Sequence, residues 1–324
     1  MRDEFVFVSA LILHPSALNT EVWMSANGSY NMVVLVKQVP DTHNISGEVM
    51  TKDGTMNRNA LPAIFNPEDL NALEMALQLK DKYGGRVTVI TMGPPKAAEV
   101  LRESLYRGAD RVILLTDKKF AGADTLATSY ALSCAIKKLG RFDLILAGRQ
   151  AIDGDTAQVG PQTAEKLGIP QITYAEAILN LDGDGIVAQR ALELGAEIVK
   201  CPLPCLLTVV GSANQPRPAS ARKRIEYKLA ATPLEYKSLL QRWPEFETEA
   251  ALENYLTSRS LKIELWTAED VAADEAKLGL AGSPTQVYKI NFVVLESTES
   301  KEITATKEGI AALIEELIQE YIVG

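Results

Sequence analysis

The chain has 324 residues, 47% of them hydrophobic and 23% charged, which is typical of a soluble protein with one large domain and an appendage or with two domains. Its net charge of −9 argues against nonspecific nucleic-acid binding, because that binding needs a basic surface. With only His14, His43 and three cysteines, and no zinc or redox spacing among the cysteines, we expect no catalytic residues, no metal and no disulfide framework.

The N-terminal segment lacks the pattern of a secretory signal. Its apolar run at 5–13 follows the mixed charges of Arg2, Asp3 and Glu4 and not a positive segment, which argues against secretion. No run of about 18 apolar residues predicts a membrane span. We therefore expect a cytoplasmic protein without a transmembrane segment, and we interpret residues 1–31 as an N-terminal extension.

The first half of the chain alternates between buried strands and amphipathic helices. The run at 32–36 is continuously apolar, which predicts a strand covered on both faces. Asn66 and Pro67 fit the N-cap and first position of a helix, and Asp69 completes a capping-box-like spacing. That helix is predicted to end near Tyr83.

The same alternation continues to residue 167. Further strands are predicted at 86–91, 111–115 and 143–147, and further helices at 96–106, 124–139 and 157–167. Such an order predicts an α/β fold with a doubly wound, mostly parallel sheet of the Rossmann-like type. Ligands of such sheets bind beyond the carboxyl ends of the strands.

The pattern changes after residue 170. A hairpin is predicted from 187–192 and 197–200, a buried strand at 206–210, helical and charged structure at 226–262, a short helical region at 267–280 and a final amphipathic helix at 306–322. Because this tail has little apolar surface for a core of its own, we expect it to lie on another surface. We accordingly divide the chain into the extension, an α/β domain at 32–224 and an extended C-terminal helical arm at 225–324.

The segment 146–160 has the strongest functional pattern, because it leaves a predicted strand and enters a predicted helix. Gly148 allows a ligand to approach the backbone closely, and the first N–H groups of the helix can bind phosphate. Thr156 and Gln158 add neutral donors, and Asp155 suits capping or a ligand hydroxyl. Since the spacing is neither a GxGxxG fingerprint nor a P-loop, a structural loop without a ligand fits it equally well.

Three further segments are expected at the same edge of the sheet. Residues 122–128 open a helix in which Asp124 is the predicted N-cap and Thr125 could contact phosphate, with a purely structural cap as the alternative. Residues 36–38 and 92–94 follow the carboxyl ends of two other strands. The convergence of all four segments predicts a nucleotide site more strongly than any one of them.

Several motifs stand out across the chain: VKQVPD at 36–41, FNP at 65–67, MGP at 92–94, RGAD at 107–110, AGRQAIDGDTAQ at 147–158 and the region 190–208 with CPLP at 201–204. Together they resemble the beta subunits of electron-transfer flavoproteins, over residues 32–224 and again over 264–290. The resemblance implies a fold similar to that of adenine-nucleotide alpha-hydrolases. It also implies a heterodimer with an alpha subunit that carries FAD and is contacted by the C-terminal arm.

In that family the beta subunit binds an adenine nucleotide at the edge described above. In members that bifurcate electrons this is an FAD that takes electrons from NADH, and in ordinary members it is a structural AMP. Residues 154–159 and 281–287 are similar to the bifurcating branch, so FAD is expected, with NADH as donor and AMP as the alternative. The resemblance implies the following nucleotide-binding residues: Val36, Asn66, Met92, Asp124, Thr125, Thr128, Gly148, Arg149, Gln150, Ala151, Asp155, Thr156, Gln158, Val159, Thr285 and Gln286.

A loop of the beta subunit docks the partner dehydrogenase in this family, and it aligns here with residues 211–217. Many relatives have a leucine at the position of Ala213, so the identity of the partner stays open. The resemblance implies a flavin-dependent dehydrogenase, acting on acyl-CoA or a related substrate. The protein itself is expected to hold and tune the flavin, which carries the redox chemistry.

Overall fold

The computed structural model describes residues 7–8, 29–41, 62–285 and 302–319. The chain divides into two units, Met1–Gln286 and Val287–Gly324. The strands of the first unit are β1 (Phe7–Val8), β2 (Tyr30–Leu35), β3 (Gln38–Pro40), β4 (Ala63–Phe65), β5 (Gly85–Met92), β6 (Arg111–Leu115), β7 (Leu144–Gly148), β8 (Gln171–Asp182), β9 (Gly185–Leu192), β10 (Gly195–Cys201), β11 (Cys205–Val209) and β12 (Glu264–Trp266). Its α-helices are α1 (Pro67–Tyr83), α2 (Ala98–Arg107), α3 (Thr125–Leu139), α4 (Val159–Leu167), α5 (Ala221–Tyr227), α6 (Tyr236–Arg242) and α7 (Glu249–Ser258).

Ten strands form one sheet in the order β1-β10-β9-β8-β11-β7-β2-β5-β6-β12, and β3 and β4 form a separate antiparallel pair. From β8 across to β12 every neighbouring pair is parallel, whereas β8, β9 and β10 pair antiparallel. The chain winds from β2 through β5 to β6 and then returns to β7 on the other side of β2. The predicted doubly wound, mostly parallel sheet is therefore confirmed, and its topological switch point lies between β2 and β7.

The central strands are buried on both faces, as the continuous apolar runs predict. Alternate side chains enter two separate cores, with Val34 and Leu146 in one and Val33 and Ile145 in the other. Leu73 and Leu77 of α1 and Leu101 of α2 close the first core. Ala131 and Ile136 of α3 and Ala164 of α4 close the second core.

Most predicted elements of the α/β region are confirmed, including α1 ending at Tyr83, β6, and α3 with Asp124 as its N-cap. Three expectations were wrong or incomplete. The long strand β8 was missed, because its mixed exposure and its register shifts hide the two-residue alternation. The strand β12 was missed because three residues carry no periodic signal, and the region 267–280 contains a single 3₁₀ turn, Glu275–Lys277, instead of an α-helix.

The expectation that the tail lacks a core of its own was also wrong. Ala231, Tyr236, Leu252, Leu256 and Leu261 form a small core between α6, α7 and the segments beside them. Short helices can bury enough apolar surface when several of them meet at one point.

The guanidinium of Arg102 in α2 connects this small core to the sheet. It donates to the carbonyl oxygen of Ala230 at 2.8 Å and forms ion pairs with Glu99 and Glu235. Arg102 is buried, so each of these contacts satisfies a donor that has little access to water.

In the second unit, residues 302–319 contain α8 (Lys307–Gln319). No residue of α8 is buried within the chain, and Ile310, Ile314 and Ile318 form an exposed stripe at four-residue spacing. In the described part of the chain, no helix is both long and apolar enough to cross a membrane.

Candidate functional site at the switch point

Asp69 joins the two strands that diverge at the switch point. The backbone N–H of Lys37, just after β2, donates to Asp69 Oδ2 at 2.8 Å. The backbone N–H of Gly148, the last residue of β7, donates to Asp69 Oδ1 at 3.0 Å. The side chain is buried, and it fixes the spacing between the carboxyl ends of β2 and β7 from the first turn of α1.

Asn66 and Glu68 hold the chain that follows β7, which we call the site loop, residues 149–158. The side-chain amide of Asn66 donates to the carbonyl oxygen of Gln150 at 2.9 Å and accepts from the N–H of Ile152 at 3.1 Å. Glu68 accepts from the N–H of Gln150 at 2.9 Å and forms an ion pair with Arg149.

Asn66 is the N-cap residue of α1, as predicted, but neither it nor Asp69 forms the predicted side-chain capping hydrogen bond. The side chain of Asn66 makes no hydrogen bond to a backbone N–H of its own helix, and the carboxylate of Asp69 accepts from the N–H groups of Lys37 and Gly148 instead. The same residue types satisfy both patterns, and here the tertiary partners are preferred over the local ones.

Gly148 packs directly against the start of α1. A Cβ atom at this position would lie 2.4 Å from Asp69 Oδ1, 2.7 Å from the backbone N of Asp69 and 2.7 Å from the carbonyl carbon of Glu68. Only glycine therefore allows the hydrogen bond between its N–H and Asp69.

Burial raises the pKa of Asp69 from its ordinary value of 3.8 to about 7. The hydrogen bonds from Asn66 and from the N–H groups of Lys37 and Gly148, together with the charge of Lys37, oppose this effect. The carboxyl group is therefore poised to change its charge near neutral pH.

The site loop is tightly folded. Asp155 and Ala157 have φ values of 48° and 53°, a left-handed conformation that non-glycine residues rarely adopt. The side-chain amide of Gln150 donates to Asp155 at 3.1 Å. Asp153 forms an ion pair with the half-exposed Lys37 at 2.6 Å, which offsets one negative charge of the loop.

The N-termini of α3 and α4 meet beside the site loop. The hydroxyl of Thr125, at the start of α3, donates to the side-chain oxygen of Gln158 at 2.8 Å. Gln158 is the N-cap residue of α4, and its side chain makes no capping hydrogen bond to that helix. The positive ends of two helix dipoles therefore lie close together.

Thr285 contacts the beginning of α3. Its N–H and its hydroxyl donate to Asp124 Oδ2 at 3.2 and 2.7 Å, and the N–H of Asp124 donates to Ser283 at 2.8 Å. The other carboxylate oxygen of Asp124 accepts from the N–H of Ala127. Burial alone would raise the pKa of Asp124, but these hydrogen bonds outweigh it and the pKa is lowered.

Most of the predicted site residues thus share one edge of the sheet. Val36 and Met92 lie at the carboxyl ends of β2 and β5, and Thr128 lies one turn inside α3. Gln286 lies outside the described residues. Ala151, Thr156 and Val159 belong to the site loop or follow it directly.

Lys37, Asp153 and Ser283 lie in the predicted segments but not among the predicted nucleotide-binding residues, and Glu68 and Asp69 were outside the predicted site altogether. Glu68 and Asp69 were visible as two acids in a first helical turn, but that signal indicates a favourable helix dipole just as well. Lys37 and Asp153 are far apart in sequence, and nothing local indicates their ion pair.

The cysteines show no sign of a metal site. Cys201 and Cys205 are buried free thiols and Cys134 is partly buried. Over residues 29–41, 62–285 and 302–319, no group of three His, Cys, Asp or Glu side chains could hold a metal ion.

Comparisons with known proteins give the family. A model of the electron transfer flavoprotein domain matches residues 53–233, more than half of the chain. The chain is 43% identical to the electron transfer flavoprotein subunit beta of Clostridium acetobutylicum over 293 residues, covering 90% of this chain and 100% of that protein.

Other relatives show the same similarity. Protein FixA of Bradyrhizobium diazoefficiens is 39% identical over 87% of this chain and 89% of its own length. The caffeyl-CoA reductase-Etf complex subunit CarD of Acetobacterium woodii is 41% identical over 90% of this chain and 99% of its own length. The resemblance seen in the sequence motifs is confirmed, and the chain belongs to the beta subunit family of electron transfer flavoproteins.

Proposed function

We propose that this subunit binds FAD at the switch point, takes electrons from NADH there, and passes them to the FAD of an alpha subunit and on to a partner dehydrogenase. The observation that carries the proposal is the arrangement at the start of α1. Asp69 binds the ends of β2 and β7 there, and Asn66 and Glu68 hold the site loop beside the N-termini of α3 and α4. Nucleotides bind at such crevices in doubly wound sheets.

The residues present suit the diphosphate of FAD. The first-turn N–H groups of α3 and α4, the hydroxyls of Thr125 and Thr128 and the side chain of Gln158 are donors near two positive helix ends. The acidic groups nearby are engaged, since Asp153 pairs with Lys37 and both oxygens of Asp124 accept hydrogen bonds. We therefore assign Asp124 a positioning role and not direct contact with phosphate.

The remaining predicted residues suit the adenosine part. Met92 provides a partly exposed apolar side chain at the end of β5, whereas the side chain of Val36 is buried at the end of β2 and would support the site from the core. Asp155 and Gln150, joined by a hydrogen bond, offer polar groups for ribose hydroxyls. Arg149 is occupied by Glu68, so we propose that it contributes through its backbone, as Ala151 and Val159 do.

The bound flavin would supply the redox chemistry by accepting a hydride from NADH and releasing electrons one or two at a time. The chain's own residues would orient the flavin, satisfy its phosphates and shield it. Thr285, fixed to the start of α3, brings the segment before Gln286 to this edge of the sheet.

The names of two relatives support the proposed partner dehydrogenase. CarD and a second relative, the acryloyl-CoA reductase electron transfer subunit gamma of Anaerotignum propionicum, carry the names of reductases that act on CoA thioesters. A partner acting on acyl-CoA or a related substrate is therefore proposed here. The side chain of Ala213 packs against the core, so the docking loop offers no exposed apolar anchor at that position.

The C-terminal arm is proposed to contact the alpha subunit. The exposed isoleucine stripe of α8 is a surface that a partner helix or groove would cover. We place the complex in the cytoplasm, in keeping with the chain's free cysteines.

The test is to purify the chain with its alpha subunit, extract the nucleotides, and count FAD and AMP per heterodimer. Two FAD molecules, with NADH reducing one of them under anaerobic conditions, are expected. One FAD and one AMP would refute the proposal and favour a structural nucleotide instead.

A matched pair of variants tests the location of the site. Gln158→Leu removes the contact with Thr125 and should lower the occupancy of the second nucleotide. Gln189→Leu on β9 removes a comparable contact with Glu176 of β8 and should leave occupancy unchanged. Equal occupancy in both variants would place the nucleotide elsewhere.

A further inference from the structure

Asp69 is buried without an ion pair, in the part of the chain that the structure describes. The two nearest cations are engaged by other acids, because the ammonium of Lys37 contacts Asp153 and the guanidinium of Arg149 contacts Glu68. Another buried carboxylate of α1, Glu74, has Arg217 as a direct partner. A buried charge without a cation is costly, so its persistence calls for a reason beyond the stability of the fold.

The hydrogen bonds of Asp69 require both oxygens to be acceptors. Lys37 N–H and Gly148 N–H approach different oxygens, and each comes from a different side of the switch point. A protonated carboxyl group carries one O–H donor, and a side-chain amide carries one N–H₂ donor group. The amide would set a donor against one of the two backbone N–H groups, and the hydroxyl oxygen of the protonated carboxyl is a weaker acceptor than a carboxylate oxygen. Either form would therefore weaken the connection between the ends of β2 and β7.

Four charged groups on the elements around Asp69 form two ion pairs with one another. Lys37 follows β2, Glu68 precedes Asp69 in α1, Arg149 follows β7, and Asp153 lies in the site loop. These two ion pairs leave no cation in direct contact with Asp69 among the described residues.

We infer that the ionised carboxylate of Asp69 is a positioning residue for the nucleotide, holding the ends of β2 and β7 at the spacing that binding needs, so that loss of its charge weakens binding. This inference rests on the proposed nucleotide site. Because burial raises the pKa of Asp69 to about 7, the loss of charge falls close to neutral pH. Affinity should be full above that pH and should fall as the pH drops below it.

The experiment uses the two-subunit complex with the nucleotide of this chain removed, titrated with FAD in one series and with AMP in another, from pH 8 to pH 6. With a pKa of about 7, roughly one molecule in ten stays ionised at pH 6, so the wild-type Kd should weaken about tenfold. Asp69→Asn has no ionised fraction, so it should bind at pH 8 at least as weakly as the wild type does at pH 6. Its affinity should also vary little with pH, apart from any titration of the nucleotide itself.

Glu74→Gln is the matched control, because it also removes a buried carboxylate of α1 but one that contacts Arg217 and not the site loop. This variant should keep the wild-type pH profile. Hydrogen exchange at the amides of Lys37 and Gly148, corrected for intrinsic rates, should quicken in the wild type at pH 6, and this measurement stands even if Asp69→Asn does not fold.

Each outcome decides between the two proposals. Wild-type complex that binds neither FAD nor AMP at pH 8 overturns the proposed function and the inference with it. A nucleotide that binds with the same pH profile in the wild type and in Asp69→Asn overturns the inference alone. A wild-type Kd that does not change with pH, together with unchanged hydrogen exchange at the amides of Lys37 and Gly148, also overturns the inference alone.

Discussion

Replacing Gly148 by alanine tests how closely α1 and β7 must approach. The added Cβ would lie 2.4 Å from Asp69 Oδ1 and 2.7 Å from the backbone N of Asp69, and neither atom can move without shifting α1 or β7. Overpacking of this kind costs about 1–3 kcal/mol, and a hydrogen bond to a charged group contributes about 1.5–3 kcal/mol. Because the two effects share one movement, we expect the free energy of unfolding to fall by about 3 kcal/mol.

Urea denaturation followed by circular dichroism measures this loss, and nucleotide titration of the heterodimer measures its effect on binding. Gly154→Ala is the matched control, since a Cβ at Gly154 would meet no atom within 4 Å. Its free energy of unfolding should stay within about 0.5 kcal/mol of the wild type. The reasoning is refuted if Gly148→Ala is as stable as this control and binds nucleotide equally well.

Three smaller changes test other parts of the structure. Ala157→Gly should raise the free energy of unfolding by about 0.5–1 kcal/mol, because it relieves the left-handed backbone at φ 53°; urea denaturation showing a loss would contradict this. Arg102→Met should lower the free energy of unfolding by about 3 kcal/mol, because Glu235 and the carbonyl of Ala230 lose their shared partner. Hydrogen exchange should quicken mainly at 228–262, and uniform quickening would argue against a local connection. Thr285→Val removes the contact of its hydroxyl with Asp124 and should speed proteolytic cleavage near residues 281–287; unchanged cleavage would show that Ser283 and the backbone N–H of Thr285 hold the segment without that hydroxyl.

The fold was predictable from the sequence because its main signals are local. The runs that became β2 and β7 are apolar throughout, and burial on both faces of a parallel sheet produces that pattern wherever it occurs. Asp124 as an N-cap was predictable for the same reason, since its partner, the N–H of Ala127, lies three residues away.

The parts that escaped prediction depend on partners distant in sequence. The strand β12 has three residues, and Arg111 of β6 holds its first residue, Glu264, by two hydrogen bonds at 2.6 and 2.8 Å. Asp69 looks like a capping residue in the sequence, yet one of its partners lies 79 residues away in β7. A local pattern cannot distinguish these outcomes, because the competing hydrogen bonds appear only once the sheet has formed.

The raised pKa of Asp69 also predicts how the stability of the protein varies with pH. Stability should fall as the pH rises, whereas nucleotide affinity should rise. The pKa of Asp69 in the folded protein, about 7, lies above its ordinary value of 3.8, so the folded state prefers the protonated carboxyl. Its contribution to stability is therefore complete below pH 3.8 and is lost as the pH rises through 7. The difference between the two pKa values corresponds to about 4 kcal/mol.

Urea denaturation of the nucleotide-free complex at several pH values, for wild type and for Asp69→Asn, isolates this contribution. Between pH 4 and pH 8 the stability of the wild type should fall relative to that of the variant by roughly 4 kcal/mol. If the stability of the wild type relative to Asp69→Asn stayed constant or rose between pH 4 and pH 8, burial would not be the cause of the raised pKa. A falling difference, together with tighter nucleotide binding at high pH, would mean that the ionised carboxylate lowers the stability of the empty site and is retained because it shapes the site for its ligand.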